Sequence, residues 1–168
     1  CPANGFGASS IQIGCLQTPN CYAEQITYPL TVTPADTNFI YAYAIVVEDP
    51  GHDTANQPFV QLCIYDQNGN PVPCGCFKYA GGPNLPGFFT SNNTCPGSYY
   101  KPWTIVGVNL GAYVGQTLTV VITNVDCGYC GHFAQSYWDF QCPPVSGTST
   151  PFCAGQSTTL CGPPSDPS

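Results

Sequence analysis

The chain has 168 residues, with two basic side chains (Lys78 and Lys101) against nine acidic ones, for a net charge of −7. That balance excludes nucleic-acid binding, which needs Lys and Arg to displace phosphate counterions, and it excludes a basic helix lying on a membrane. No apolar run reaches the roughly eighteen residues of a membrane span, while 43% apolar and 13% aromatic residues suffice to bury a core.

Gly and Pro, eighteen of each, work against long helices and favour strands joined by turns. Residues 1–23 form a Gly/Asn/Ser/Pro-rich lead-in holding Cys1, Cys15 and Cys21, read as a stapled loop region. Residues 25–33 alternate Ile26, Tyr28 and Leu30 against polar neighbours, as a strand does. Over residues 38–48, Phe39, Tyr41, Tyr43, Ile45 and Val47 share one face and Ile40, Ala42, Ala44 and Val46 the other. Apolar character on both faces predicts a central strand covered on both sides. Residues 58–66 form the next strand, and Gln67-Asn68-Gly69-Asn70 carries the Asn-Gly signal of a tight hairpin whose return strand runs to about residue 79. Residues 81–98 read as a long loop. Strands follow at 103–110, at 116–125 (where Leu118, Val120 and Ile122 alternate with threonines) and at 132–141.

Seven or eight strands without a helical period predict an all-β fold: a jelly-roll-like antiparallel β-sandwich, disulfide-rich, with extended N- and C-terminal segments. The expected organisation is a stapled segment over 1–23, the sandwich over 24–142 and a Ser/Thr/Pro-rich tail over 143–168 with one strand-like stretch. The sequence opens on Cys1 and holds no Met, which reads as a processed product or a fragment.

Twelve cysteines in a weakly charged chain read as a disulfide framework, and therefore as a secreted protein. The expected local pairs are Cys15–Cys21, Cys127–Cys130 and Cys76–Cys95. Cys127-Gly-Tyr-Cys130 resembles a thiol–disulfide exchange motif, but that chemistry needs the first Cys at a helix N-terminus, and this pair lies between strands. Cys127, Cys130, His132 and His52 are also zinc-type ligands. In an oxidising compartment the thiols are expected to pair as disulfides instead.

Glu48-Asp49-Pro50-Gly51-His52-Asp53 is the densest charge in the sequence. Asp49, Asp53, Asp126 and Asp139 are the candidate ligands for a hard cation, Ca²⁺, although no EF-hand spacing accompanies them. The competing reading makes Asp49 and Asp126 turn caps and gives Asp139 a buried polar partner. His52 follows the central strand and His132 precedes the last one. If those strands are antiparallel neighbours the two histidines meet at one end, in a node with Asp49, Asp53 and Asp126. Trp103, Trp138, Tyr99, Tyr100 and Tyr129 are candidates for a sugar-stacking platform. Thr54, in Asp53-Thr54-Ala55, fits a bacterial O-glycosylation sequon, and Asn92, in Asn92-Asn93-Thr94, fits the N-linked one.

Residues 39–52 (FIYAYAIVVEDPGH), 57–73 (QPFVQLCIYDQNGNPVP), 100–115 (YKPWTIVGVNLGAYVG) and 126–139 (DCGYCGHFAQSYWD) together resemble a β-sandwich module of large Bacteroidota surface proteins. Those are gliding-motility-associated, adhesin-like proteins exported by the type IX route. Residues 151–160 (PFCAGQSTTL) resemble the opening strand of the Ig-like or PKD-like modules that follow in such arrays, whereas Cys63, Cys76 and Cys130 depart from the pattern. The resemblance implies an extracellular cell-surface location, adhesion or scaffolding, and no catalytic residues. The expected function is a non-enzymatic structural or adhesive module of a bacterial surface assembly, with copies of itself or neighbouring modules as partners and a strand-addition filament as one form. A carbohydrate-binding module, calcium-assisted, is the alternative.

Overall fold

The computed structural model describes residues 9–14, 21–91 and 97–141. Nine strands follow in chain order: β1 (Ile11–Ile13), β2 (Ala23–Thr31), β3 (Asn38–Glu48), β4 (Phe59–Tyr65), β5 (Pro71–Ala80), β6 (Phe89–Thr90), β7 (Ser98–Asn109), β8 (Thr117–Val125) and β9 (Ala134–Gln141). They build two sheets, in the orders β1-β9-β3-β7-β6 and β2-β8-β4-β5. Every pairing is antiparallel.

The pairs β1·β9, β2·β8, β3·β7 and β4·β5 are nested, like the arms of one long hairpin. Rolling that ribbon brings β3 against β9 and β4 against β8, which is the jelly-roll sandwich. The tip of the ribbon is the Asn-Gly turn. There Asp66 accepts hydrogen bonds from the backbone N–H groups of Asn68 and Asn70, both at 2.8 Å, while Gly69 takes a φ of +81°. That left-handed conformation suits glycine and fixes the hairpin.

The core follows the period-two alternation. Phe39, Tyr41, Tyr43, Ile45 and Val47 of β3 point inward with Val60, Leu62 and Ile64 of β4 and Leu118, Val120 and Ile122 of β8. Trp138 of β9 stacks with Tyr43, Phe77 and Phe140. Its indole N–H donates to Ser136 Oγ at 2.9 Å, Ser136 donates to Asn124 Oδ1, and Asn124 Nδ2 donates to the Ala134 carbonyl at 2.7 Å. This buried polar chain joins the two sheets with its members satisfied. Strand β3 is central in its sheet as expected. The face carrying Ile40, Ala44 and Val46 is only half-buried, however, because among the described residues there are two layers and not three.

Three strand segments depart from the sequence reading. Ile11–Ile13, inside the expected lead-in loop, pairs with β9 and buries Ile13; three residues are too few to display an alternation. Phe89–Thr90 is a short edge strand inside the expected long loop. Strand β7 begins at Ser98, ahead of Trp103. Between the pairs Ile45↔Lys101 and Tyr43↔Thr104, Pro102 and Trp103 oppose Ala44 alone, a bulge that absorbs the missing proline N–H. The expected tail over 143–168 lies outside the described residues.

Replacing Trp138, which is 0% exposed, by Ala is expected to lower stability by about 3–5 kcal/mol. Ile105→Ala, at a side chain 55% exposed, is expected to change it by less than about 0.5 kcal/mol. Urea unfolding of the two variants measures both. Burial pushes the Tyr41 and Tyr43 phenols far above the usual tyrosine range, with the Tyr79 hydroxyl adding to the effect at Tyr43. The unfolded chain therefore ionises first. Stability should hold below about pH 10 and fall as pH rises beyond it, with the phenolate absorbance of these two residues appearing only on unfolding.

Candidate functional site

Antiparallel pairing of β3 with β9 ends at Val47↔Ala134, so the loop leaving β3 and the loop entering β9 emerge side by side. Glu48 stitches them: its backbone N–H donates to the Phe133 carbonyl at 3.1 Å, and its carboxylate accepts from the Phe133 N–H at 3.0 Å. The second loop is a tight turn in which the Cys130 N–H donates to the Cys127 carbonyl and the Cys127 N–H donates to the His132 carbonyl, both at 3.0 Å. The two loops also meet where the Gly128 N–H donates to the Asn56 carbonyl at 3.1 Å. A side chain at Gly128 would collide with Asn56.

This geometry gathers the only two histidines of the sequence. The rings of His52 and His132 meet edge to face at 5.2 Å, and Tyr129 packs edge-on against His52 at 4.6 Å. Cys127 is fully buried and carries a free thiol. Its Sγ lies 3.4 Å from His132 Nδ1 and accepts the Gly131 N–H at 3.4 Å. Ligand atoms of His52, Cys127 and His132 all lie within 4.8 Å of one another. The Nε2 of His52 is buried without a hydrogen-bond partner.

The expected disulfide pairs are corrected. Cys130 is bonded to Cys21, not to Cys127, and Cys76 is bonded to Cys63, not to Cys95. Cys74 is disulfide-bonded as well. Cys15 lies outside the described residues, but with Cys21 taken by Cys130 the Cys15–Cys21 pair does not form. The physical reason is register. Ala23 opposes Val125, so Cys21 is delivered to the turn after β8. Cys63 opposes Cys76 because Val72, Pro73, Cys74 and Gly75 bulge against Ile64 alone. An unbulged hairpin from the Asn-Gly turn would have set Cys63 against Pro73, and the bulge is not visible in the sequence pattern. Among the described residues the Cys127–Cys130 turn has no helix behind it, its first thiol is buried and its second sulfur is bonded to Cys21, an arrangement unlike that of exchange motifs.

The four calcium candidates do not converge, because each carboxylate is engaged elsewhere or placed elsewhere. Asp49 Oδ1 accepts the Gly51 N–H and the Gln57 side-chain N–H at 3.0 and 2.8 Å. Asp53 is held mainly by the Asn56 side-chain amide, helped by the Ala55 and Asn56 N–H groups, and these bonds keep its carboxyl below the usual aspartate range. Asp126 receives the Ala134 N–H at 3.4 Å. Asp139 lies five residues along β9 opposite Ala42, on the face turned away from the core, with Oδ2 unpartnered. Asp49 and Asp126 thus act as the loop caps that their competing reading describes. The sugar platform also divides: Trp138 is core, Tyr99 and Trp103 are half-buried, and Tyr100 and Tyr129 are exposed on separate elements. Thr54 is exposed in the β3–β4 loop, and Asn92 lies outside the described residues.

No protein-family model and no curated protein matches the chain. Fold and site together define it as a disulfide-linked jelly roll with a histidine–cysteine cluster at one end. Among the described residues no helix is long and apolar enough to cross a membrane.

Removing the Cys21–Cys130 bond, which spans 109 residues, frees a larger loop in the unfolded chain than removing Cys63–Cys76, which spans 13. Loop-closure entropy sets the expected losses at about 4.7 and about 3 kcal/mol. Denaturant melts of the two double Cys→Ser variants measure that order, and unreduced peptide mapping should recover both bonds.

Proposed function

We propose that this chain is a non-enzymatic structural or adhesive module of an extracellular bacterial surface assembly, and that it assembles by strand addition. The observation that carries this reading is the asymmetry of the second sheet's two edges. Strand β5 is guarded by Pro71, Pro73, a four-residue bulge and Lys78, the devices that block edge-to-edge pairing. Strand β2 runs nine residues, is exposed at seven of them, and among the described residues pairs only with β8. Its one charge, Glu24, is occupied by the Gly14 N–H at 2.6 Å, and Pro29 alone interrupts its donors. Such an edge accepts an extended segment through main-chain hydrogen bonds.

Residues 151–160 supply a strand-like sequence with Cys153 within it and Cys161 just after it, suited to docking on the next copy and to covalent locking there. The dense cysteines, their oxidised pairs and the resemblance to Bacteroidota surface modules support an extracellular location. A second reading, glycan binding, draws on Phe89 and Tyr100. These exposed rings lie 5.7 Å apart at the edge of the first sheet. Calcium assistance drops out of that reading, because the carboxylates are dispersed.

Electron microscopy of native material is expected to show ordered polymers that disappear when residues 146–168 are deleted. Placing a second proline in β2, as Thr27→Pro, is expected to disrupt the polymers as well. A monodisperse monomer that binds one defined glycan on an array, and loses it in Tyr100→Ala, transfers the case to the second reading.

A further inference from the structure

From His52, Cys127 and His132 we infer a mononuclear transition-metal site with an N₂S donor set and one coordination position left to an outside ligand. Three observations converge on it. The first is donor spacing. A tetrahedral ion with metal–nitrogen bonds of about 2.0–2.1 Å and a metal–sulfur bond of about 2.3 Å holds its donors roughly 3.3–3.6 Å apart. Cys127 Sγ and His132 Nδ1 already stand at 3.4 Å, and the His52 donor falls within 4.8 Å of both, so a small rotation of one half-buried ring completes the set.

The second observation is an unmet need. His52 Nε2 is buried with no partner, an unfavourable condition for a polar atom that a bound cation removes. The third is the state of Cys127, a free thiol while the other described cysteines are bonded. Its neighbour in sequence, Cys130, is committed to Cys21, so the thiol stays single. It is fully buried, which denies it a substrate and argues against a Cys–His nucleophile, whereas a ligand needs no such access. The Gly131 N–H points at Sγ, the kind of backbone donor that supports metal-bound sulfur.

Imidazole and thiolate select a borderline-to-soft ion such as zinc or copper over calcium or magnesium. Two half-buried histidines leave the ion reachable from solvent. Coordination would replace the thiol proton and tie the β3–β4 loop to the β8–β9 turn. Because twelve cysteines make an even number, a Cys127 held as a ligand leaves a second cysteine unpaired within the chain or bonded to another molecule.

The test uses the full chain, stripped of metal with a chelator, and titrates it with Co²⁺ and then Zn²⁺. Cobalt should saturate at one equivalent, with thiolate charge-transfer absorption and the strong visible bands of a four-coordinate ion. Zinc should displace it and raise the melting temperature. Cys127→Ser should abolish the charge-transfer band. His52→Gln, at a half-buried position, should weaken binding by more than the roughly 10–100-fold typical of losing a supporting residue. Full-strength binding in Cys127→Ser, a weak octahedral cobalt spectrum, or peptide mapping that finds Cys127 in a disulfide in native material overturns the site. None of these outcomes bears on strand-addition assembly, which does not use these residues.

Discussion

The antiparallel pairing of β3 with β9 is the contact on which the rest of this molecule depends. The nested pairs β1·β9, β2·β8, β3·β7 and β4·β5 alone make a two-stranded ribbon, which does not bury a core. When β9 lies beside β3 as well as β1, the ribbon closes into a five-stranded sheet, and the inward faces of both sheets come together. Tyr43 then opposes Trp138, and the ring cluster of Tyr41, Tyr43, Phe77, Trp138 and Phe140 fills the space between them. The same register ends at Val47↔Ala134 and thereby places both histidine loops at one end. Core and site share one cause.

Where the sequence pattern carries period-two alternation, the fold was legible. Inward positions of β3 and β8, the Asn-Gly tip and the all-β class follow from residue types and spacing, and so does the meeting of His52 with His132 once β3 and β9 are taken as neighbours. Short or interrupted elements were not legible. Ile11–Ile13 and Phe89–Thr90 exist because a longer partner offers them hydrogen bonds, and Pro102 conceals the first turn of β7 until the bulge is known. Cysteine pairing failed for the same reason. Proximity in sequence suggested Cys127–Cys130, while cross-strand register decided for Cys21–Cys130 and Cys63–Cys76. The carboxylates misled because Asp at the head of a turn is first a turn former, and Asp49 and Asp53 spend their oxygens on backbone and amide N–H groups.

Cysteine in this chain serves two physical ends. The bonded pairs constrain the unfolded state and hold strand ends, Cys21 at the start of β2 and Cys63 across the ribbon tip. Cys127 sits in the same turn as Cys130, yet β2 reaches only one of the two. Cys130, in a left-handed conformation with a φ of 62°, is bonded to Cys21, whereas Cys127 is buried beside His132. A single turn therefore separates a structural sulfur from one whose surroundings are those of a ligand.

Charge gives the surface its remaining character. Both lysines lie over aromatic rings, Lys78 at 3.7 Å from the Phe59 centroid and Lys101 above Tyr79 and Phe88 at 5.7 and 5.6 Å. Burial lowers the Lys101 pKa, and its ammonium also donates to the Pro86 carbonyl. The net charge of −7 already counts both cations, so copies of the chain repel one another at long range and low salt. Any assembly must then be driven by short-range contacts that outweigh that repulsion, namely main-chain hydrogen bonds and apolar burial. Strand β2 offers both in a stretch carrying one charge, with Tyr28 exposed on it and Leu30 buried beneath. Where lysine would ordinarily gate such an edge, this strand carries none, and among the described residues the edge nearest the long cysteine bridge has no second strand beside it.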